Sequence, residues 1–217
     1  AGNTLYNPAF LNKWVTSAPV QSVNYVEAHD NLSLADKLTA SVKGISPTGV
    51  AQISQFATSV AFLSQGMPFM QAGQEFLRSK GGDPNSYKSS DAVNSLKWST
   101  QSTHAVTVKY FKGLIALRKA HPAFRMTSTE LVRKNLKFLT SPEGTIAYSL
   151  NGAAVKDSAG TLVVIHNANT TAQTISLPKT GTWSVHVEGD RAGTSVLRKI
   201  SGDSVVVAPR STLVITQ

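Results

Sequence analysis

The spacing of apolar residues changes once along this 217-residue chain, near residue 122, and that change limits what the chain can fold into. From about residue 20 to 120 the order reads strand, helix, strand, helix. Val23-Asn24-Tyr25-Val26 is a short β-rich run that stops at the polar group His29-Asp30-Asn31. Residues 50–63 place Val50, Ile53, Phe56, Ala57, Val60, Ala61 and Leu63 in the rhythm of a core-facing helix. Ser46-Pro47 supplies a start signal for it and Gly66 a stop signal. Met67-Pro68-Phe69-Met70 reads as a second short strand, ending at Ala72-Gly73-Gln74-Glu75, and a polar loop runs from Arg78 to about Asn94. Residues 105–119 form a second helix, with Val108, Phe111, Leu114, Ile115 and Leu117 marking its apolar face and His121-Pro122 ending it. Such an order predicts a parallel α/β arrangement, in which functional groups gather at the C-terminal ends of the strands. The pairs Asn7-Pro8 and Ala18-Pro19 predict broken structure at the start of the chain.

After residue 123 the rhythm becomes that of short strands: 138–141, 145–150, 162–167, 174–177, 183–188, 204–208 and 212–216. Gly144, Asn151-Gly152, Gly160, Gly181, Gly189, Gly202-Asp203 and Pro209 separate them. Strands at this spacing predict an antiparallel β-sandwich. The boundaries are therefore an α/β segment over 1–122 and an all-β domain over 123–217.

The formal net charge of +9 raises the question of nucleic acid, so its distribution decides. Residues 1–120 hold 11 Lys/Arg against 6 Asp/Glu, and residues 121–217 hold 10 against 6. With the excess spread evenly, no nucleic-acid partner is expected. No apolar run approaches the roughly 20 residues of a membrane helix, so no membrane partner is expected either. The absence of cysteine excludes disulfides, thiolate metal sites and a thiol nucleophile, and it fits an exported bacterial protein. A secreted or cell-surface location is the expectation, with the cytoplasm as the alternative.

The main chemical signal is Glu27-Ala28-His29-Asp30-Asn31 at a strand end. A carboxylate there can stabilise positive charge, act as a base or bind a metal, and an imidazole can donate to a sugar hydroxyl. The bland alternative has Asp30 capping a helical turn at residues 34–37 while His29 packs.

The run Tyr25-Val26-Glu27-Ala28-His29-Asp30-Asn31-Leu32-Ser33-Leu34-Ala35-Asp36-Lys37-Leu38 resembles the strand-seven motif of the α-amylase superfamily, in the form found in type I pullulanases (glycoside hydrolase family 13). The resemblance continues through Gln65-Gly66-Met67-Pro68-Phe69-Met70-Gln71-Ala72-Gly73-Gln74-Glu75, Leu77-Arg78-Ser79-Lys80-Gly81-Gly82 and Asn85-Ser86-Tyr87. It closes with Tyr110-Phe111-Lys112-Gly113-Leu114 and His121-Pro122-Ala123-Phe124-Arg125-Met126. Departures from the family pattern fall at Gln74, Ser79 and Asp83-Pro84.

What the resemblance implies is the last two strand–helix units of a (β/α)8 TIM barrel, followed by the β-sandwich. It implies retaining hydrolysis of α-1,6 links in pullulan, starch or glycogen, with a nucleophilic carboxylate, an acid/base and a third, assisting carboxylate. Asp30 matches the third, as a transition-state stabiliser, and His29 shares its contact with sugar hydroxyls. Asn31, Asn85 and Tyr87 are expected to bind substrate, while Glu27 and Glu75 are expected to be structural. The nucleophile and acid/base of the family lie upstream of strand seven, so a C-terminal fragment, inactive alone, is expected. Its partners would be an α-glucan and either the rest of the barrel or another copy of the chain. No cofactor and no metal site is expected in this segment, although the resemblance leaves room for calcium in a longer enzyme. Two other readings stand beside this one: a non-catalytic carbohydrate-binding or structural module, and part of a related isoamylase, amylase or branching enzyme. Phe138, Tyr148 and Trp183 bear on the first of these, because a sugar-binding sandwich presents exposed aromatics on one face.

Overall fold

The computed structural model describes residues 17–217. The broken structure expected around Asn7-Pro8, and the start of the expected barrel segment, lie outside the described residues. Four helices of seven residues or more precede the sheet among the described residues: α1 (Leu34–Ser41), α2 (Pro47–Leu63), α3 (Ala105–Ala120) and α4 (Thr129–Asn135). Two very short strands, β1 (Val23–Asn24) and β2 (Met67–Pro68), pair in parallel with Val23 opposite Met67. Seven strands follow: β3 (Leu136–Phe138), β4 (Thr145–Asn151), β5 (Thr161–Asn167), β6 (Gln173–Glu188), β7 (Arg191–Ala192), β8 (Arg198–Val207) and β9 (Ser211–Thr216).

Helix α2 starts where the sequence signals it. Pro47 occupies the first turn, and the Ser46 hydroxyl accepts from the Gly49 N–H at 3.1 Å. Its orientation is less simple. The expected core face is only half-buried at Ile53, Phe56, Ala57 and Val60, whereas Ser54, Thr58 and Ser59 are fully covered. Most of these buried hydroxyls are satisfied from neighbouring elements: Ser59 Oγ lies 2.8 Å from the Tyr110 hydroxyl, and Gln74 Nε2 donates to Thr58 Oγ1 at 2.9 Å. Phe56, Ala57 and Val60 instead line an open cavity of about 500 Å³ beside Val23, Tyr25 and Val26. A ribbon of two strands is too narrow to cover this face. Val23, Tyr25, Met67 and Phe69 are themselves largely exposed, with the Tyr25 and Phe69 rings edge to face at 5.9 Å.

The antiparallel sheet runs β3-β4-β5-β9-β6-β7, with β8 paired to β6. The sandwich expectation needs correction in its closure: hydrogen bonding runs through a single sheet rather than two. The two strands expected at 174–177 and 183–188 are one, β6, whose register against β8 shifts between Ser176 and Gly181. At its far end β6 pairs with β9 through Ser184 and Val187. The β6–β8 ribbon thus folds over the rest of the sheet and makes a second layer without a second sheet. Helix α4 was not expected. Ser128 caps it by accepting from the Leu131 N–H at 3.1 Å.

Successive residues of β5 point to opposite faces, and both faces are buried. Leu162 and Val164 join Tyr148, Leu150, Val187 and Val214 against Phe62 and Leu63 of α2 and Tyr110, Phe111, Leu114 and Leu117 of α3. Val163 and Ile165 join Ala147, Leu213 and Ile215 against Ile175, Trp183, Val185, Val205 and Val207. Fully burying an aliphatic or aromatic side chain of this size contributes roughly 1.5–3 kcal/mol. The helices and the sheet therefore share one core. Trp183 and Tyr148 are buried in it, whereas Phe138 is exposed.

Arg118 of α3 reaches the C-terminal end of α2. Its guanidinium donates to the carbonyls of Phe62 at 2.7 Å, Ser64 at 2.8 Å and Gly66 at 2.5 Å. Gly66 turns the chain with φ +100, and a Cβ there would stand 2.8 Å from the Ser22 carbonyl. Burial lowers the Arg118 pKa to about 10, which leaves it cationic at neutral pH. Among the described residues no helix is long and apolar enough to cross a membrane.

Arg118→Met is expected to cost about 2–4 kcal/mol in urea unfolding, because it strips partners from buried carbonyls. Arg118→Lys should recover only part of this, since an ammonium cannot fork as a guanidinium does. Stability should also depend on acid. Burial pushes the pKa of His166 down to about 3, and burial followed by the nearby His121 lowers that of His186. A histidine with a depressed folded pKa contributes stability that is complete above its unfolded pKa of about 6.5 and lost as pH falls. The melting temperature should be flat above about pH 7 and drop below about pH 6. His166→Gln should remove up to about 1.4 kcal/mol per pH unit of that slope.

Candidate functional site

The site forms where β1 and β2 end. Beyond β1 the buried Glu27 carboxylate accepts from the Leu34 N–H at the start of α1. Burial raises its pKa, outweighing that hydrogen bond and the charges of Arg78 and Lys80. Ser33 caps α1, its hydroxyl accepting from the Asp36 N–H at 3.2 Å. The segment between these anchors turns outward. Asn31 adopts φ +68, and its side-chain oxygen accepts from the Leu32 N–H at 3.0 Å. The side chains of His29 and Asp30 are 87% and 89% exposed, with Nε2 and Oδ1 3.3 Å apart. Asp30 is thus not the cap, and His29 does not pack in a core.

The chain beyond β2 supplies the opposite wall. Lys80, 4% exposed, extends Nζ to the His29 carbonyl at 2.9 Å and to Ser86 Oγ at 3.1 Å. Its backbone N–H donates to Asp36 Oδ2 at 2.7 Å, and the Ser79 hydroxyl donates to Asp36 Oδ1 at 2.5 Å. Burial acts to raise the Asp36 pKa, but the donors from Ser79, Lys80, Ser33 and Gly82 prevail and lower it. Asp83 accepts from the Asn85 N–H at 2.8 Å and the Ser89 hydroxyl at 2.6 Å, bending the loop around residue 85. Arg78 donates to the Asn94 carbonyl, and Asn94 Nδ2 donates to the carbonyls of Ser86 at 2.7 Å and Ser89 at 3.0 Å. Tyr87 is left 73% exposed, with Lys88 Nζ 5.3 Å from its ring centroid.

His29, Asp30, Asn85 and Tyr87 line one cavity of about 320 Å³, together with Gln71, Arg78, Lys80 and Asn94. Asn31 is not part of this wall. The neighbouring acids are already engaged: Glu27, Asp36 and Asp83 as above, and Glu75 by the Gly73 N–H at 3.0 Å. The structural roles expected of Glu27 and Glu75 match these contacts. A free carboxylate and imidazole facing an amide and a phenol ring suit the hydroxyls and ring face of a neutral sugar. Sequence reasoning did not assign a role to Lys80, Gln71 or Arg78; Lys80 and Arg78 are held by partners 51 and 16 residues away. Among the described residues no three His, Cys, Asp or Glu side chains converge as a metal site.

Comparison with known proteins places this architecture. The family model described as "Pullulanase, all-beta domain" matches residues 132–191. A pullulanase from Bacillus subtilis is 40% identical over 155 residues, covering 71% of this chain and 22% of the relative. The structure of the pullulanase from Bacillus acidopullulyticus superposes with a TM-score of 0.90 at 40% identity, covering 96% of this chain and 25% of that one. That of pullulanase type I from Bacillus subtilis, complexed with maltose, gives 0.86 at 34% identity, covering 92% and 28%. The fold is therefore that of the matching region of these pullulanases. The chain belongs to the pullulanase family, and it spans about a quarter of the length of the relatives it matches.

Lys80→Met should loosen both walls of the cavity at once. Hydrogen exchange at residues 29–31 and 84–88 is expected to rise by about tenfold or more, with unfolding stability down by about 1–3 kcal/mol. Equal acceleration across the sheet would instead mark a global defect.

Proposed function

We propose that this chain provides the His29–Asp30 end of the last two strand–helix units of a (β/α)8 barrel, in a retaining glycoside hydrolase that cleaves α-1,6 branch links of pullulan, starch or glycogen. The observation that carries this reading is the shared cavity of His29, Asp30, Asn85 and Tyr87 at the C-terminal ends of two parallel strands. Asp30 hydrogen-bonds sugar hydroxyls beside the scissile bond, more tightly as positive charge develops on the ring, and His29 shares that contact. Asn85 and Tyr87 hold the glucan on the other side, Tyr87 through its ring face. Asn31 acts through the backbone: its left-handed turn presents Asp30 outward.

The nucleophile and acid/base come from barrel strands other than β1 and β2. Those strands pack on the half-covered face of α2 and on the exposed Val23, Tyr25, Met67 and Phe69. A second copy of the chain is the alternative cover. The reading as a carbohydrate-binding module is disfavoured by the burial of Trp183 and Tyr148, which removes them from any sugar platform.

The 217-residue chain is expected to release no reducing sugar from pullulan. A chimera in which residues 17–217 replace the matching region of the Bacillus subtilis pullulanase is expected to hydrolyse it. Asp30→Asn in that chimera should lower kcat by about 10²–10³-fold with KM little changed. Hydrolysis by the chain alone, or a chimera indifferent to Asp30→Asn, would sink the proposal.

A further inference from the structure

Away from the strand ends, a cavity of about 680 Å³ opens in the seam where α2 and α3 meet the sheet. Gln55 and Phe56 of α2 and Thr107 of α3 stand on one wall. Asp190, in the turn between β6 and β7, and Arg210, in the turn between β8 and β9, stand on the other. The two walls are tied together. Gln52 Nε2 donates across the seam to the Pro209 carbonyl at 3.1 Å. Arg210 takes the left-handed conformation, with φ +47, and its N–H donates to the Asn169 carbonyl at 3.0 Å. Asn167 Nδ2 donates to the carbonyls of Val207 at 3.2 Å and Ala208 at 3.0 Å, which fixes the turn from its other side.

Most polar side chains of the seam are already engaged. The Tyr110 hydroxyl lies 2.8 Å from Ser59 Oγ, and Thr212 Oγ1 lies 2.9 Å from His166 Nδ1. Gln55 and Thr107 are different. They are only 5% and 2% exposed, and their side chains hydrogen-bond to nothing among the described residues. Buried polar groups are paired as a rule, and each exception calls for a reason. The hydroxyl of the adjacent Ser54 is unpaired and closed off from solvent, but the Gln55 amide and the Thr107 hydroxyl are not closed off. The little that is open on each side chain therefore includes its polar tip, and both residues line this cavity. Asp190 and Arg210, across from them, join no ion pair among the described residues.

An anion in the seam is opposed by Asp190 and a cation by Arg210, while an apolar molecule leaves Gln55 and Thr107 unanswered. Hydroxyl groups answer all four, since they donate to a carboxylate or an amide oxygen and accept from a guanidinium or an amide N–H. The half-buried Phe56 ring offers the apolar floor that the C–H face of a sugar needs. His104 lines both this cavity and one of about 370 Å³, and Arg78 and Lys80 line both that one and the cavity of His29 and Asp30. The three stand in a row. We propose that the seam is a second glucan site, apart from the cavity at the strand ends, which holds a short run of neutral glucosyl units through Gln55, Thr107, Asp190 and Arg210. This rests on the glucan reading above but on different residues. A glucan long enough to reach both cavities makes its second contact as an intramolecular step, so the seam favours polymer over short fragments.

The test is hydrogen exchange of the full 217-residue chain with and without maltotetraose, beside thermal unfolding without sugar. Saturating maltotetraose is expected to slow exchange at residues 103–107 and 208–212 by about threefold or more. Gln55→Leu and Thr107→Val keep the shape of the wall and remove its polar tips. Each should abolish that slowing and leave the sugar-free melting temperature unchanged or higher, because neither side chain has a protein partner to lose. Asp30→Asn, in the other cavity, should leave the slowing at the seam intact. Slowing confined to residues 29–31 and 84–88 would overturn this inference and leave the glucan reading standing. Slowing at the seam that survives both substitutions, or a lower melting temperature in both variants, would equally overturn it. The reading beneath fails separately, through a chimera that does not hydrolyse pullulan or is indifferent to Asp30→Asn.

Discussion

The last turn of α2 is the point on which the other elements depend. A helix ends with carbonyls that have no partner of their own, and burying them bare is costly. Here the helix runs into the core and stops at an extended Ser64. Its carbonyls are then taken one by one: Val60 by the Ser64 hydroxyl at 2.6 Å, Leu63 by the Tyr148 hydroxyl at 2.9 Å, and Phe62 by Arg118. Tyr148 belongs to the sheet and Arg118 to α3, so one helix end fastens three elements. The same guanidinium holds the Ser64 and Gly66 carbonyls. That fixes the direction in which the chain enters β2 and hence its register beside β1. His29 and Gln71 lie a few residues beyond those strands. The geometry of the cavity is inherited from the helix end.

A sheet buried on both faces explains how so short a parallel ribbon is held in place. β5 contributes alternate residues to two clusters, and only one of them touches the helices. Except at Val187, the β6–β8 layer is thereby separated from α2 and α3 by packed strands. The ribbon side is different in kind. Phe56, Ala57 and Val60 remain half-covered, and the strand residues beside them are exposed. The apolar rhythm of α2 was read as that of a core-facing helix, but only Val50, Ala61 and Leu63 of that face are buried, whereas Ser54, Thr58 and Ser59 beside it are covered. Apolar periodicity reports the surface a helix is meant to cover, and here much of that surface is not supplied by β1 and β2.

The same distinction separates what the sequence made legible from what it hid. Helices α2 and α3 were legible because start and stop signals bracketed a period near 3.6, and β3, β4, β5, β8 and β9 were located because turn residues punctuated them, whereas the two-residue β7 was missed. The merged β6 was not, since Gly181 marks a register shift within a strand as readily as a break between two. Helix α4 carried a local signal in Ser128 and in the Glu130–Lys134 pair at 2.6 Å, but it is too short for apolar periodicity to reveal. At the site, His29, Asp30, Asn85 and Tyr87 stood in recognisable runs. Lys80 stood in one too but without an assigned role, because its meaning lies in a contact with a carbonyl 51 residues away. Gln71 and Arg78 each keep one buried side-chain atom without a hydrogen-bond partner among the described residues, and no local pattern encodes that.

The carboxylates around the cavity show how neighbouring surroundings assign opposite fates to the same chemical group. Glu27 is covered and receives one backbone donor, so burial prevails and its pKa rises. Asp36 is also covered in part but receives several donors, so hydrogen bonding prevails and its pKa falls. Asp83 is held low chiefly by the Ser89 hydroxyl and the Asn85 N–H. All three are engaged in shaping the loop, whereas Asp30 stands open to solvent. An exposed carboxylate is a weak electrostatic agent, because water screens it to about 1 kcal/mol at 4 Å. A strong effect on developing charge requires a dry, preorganised surrounding. The side chains already placed in this chain provide the orientation of Asp30 but not its cover. On the proposed function, whatever closes over the ribbon and the cavity, protein or glucan, is therefore as much a part of the working site as Asp30 itself.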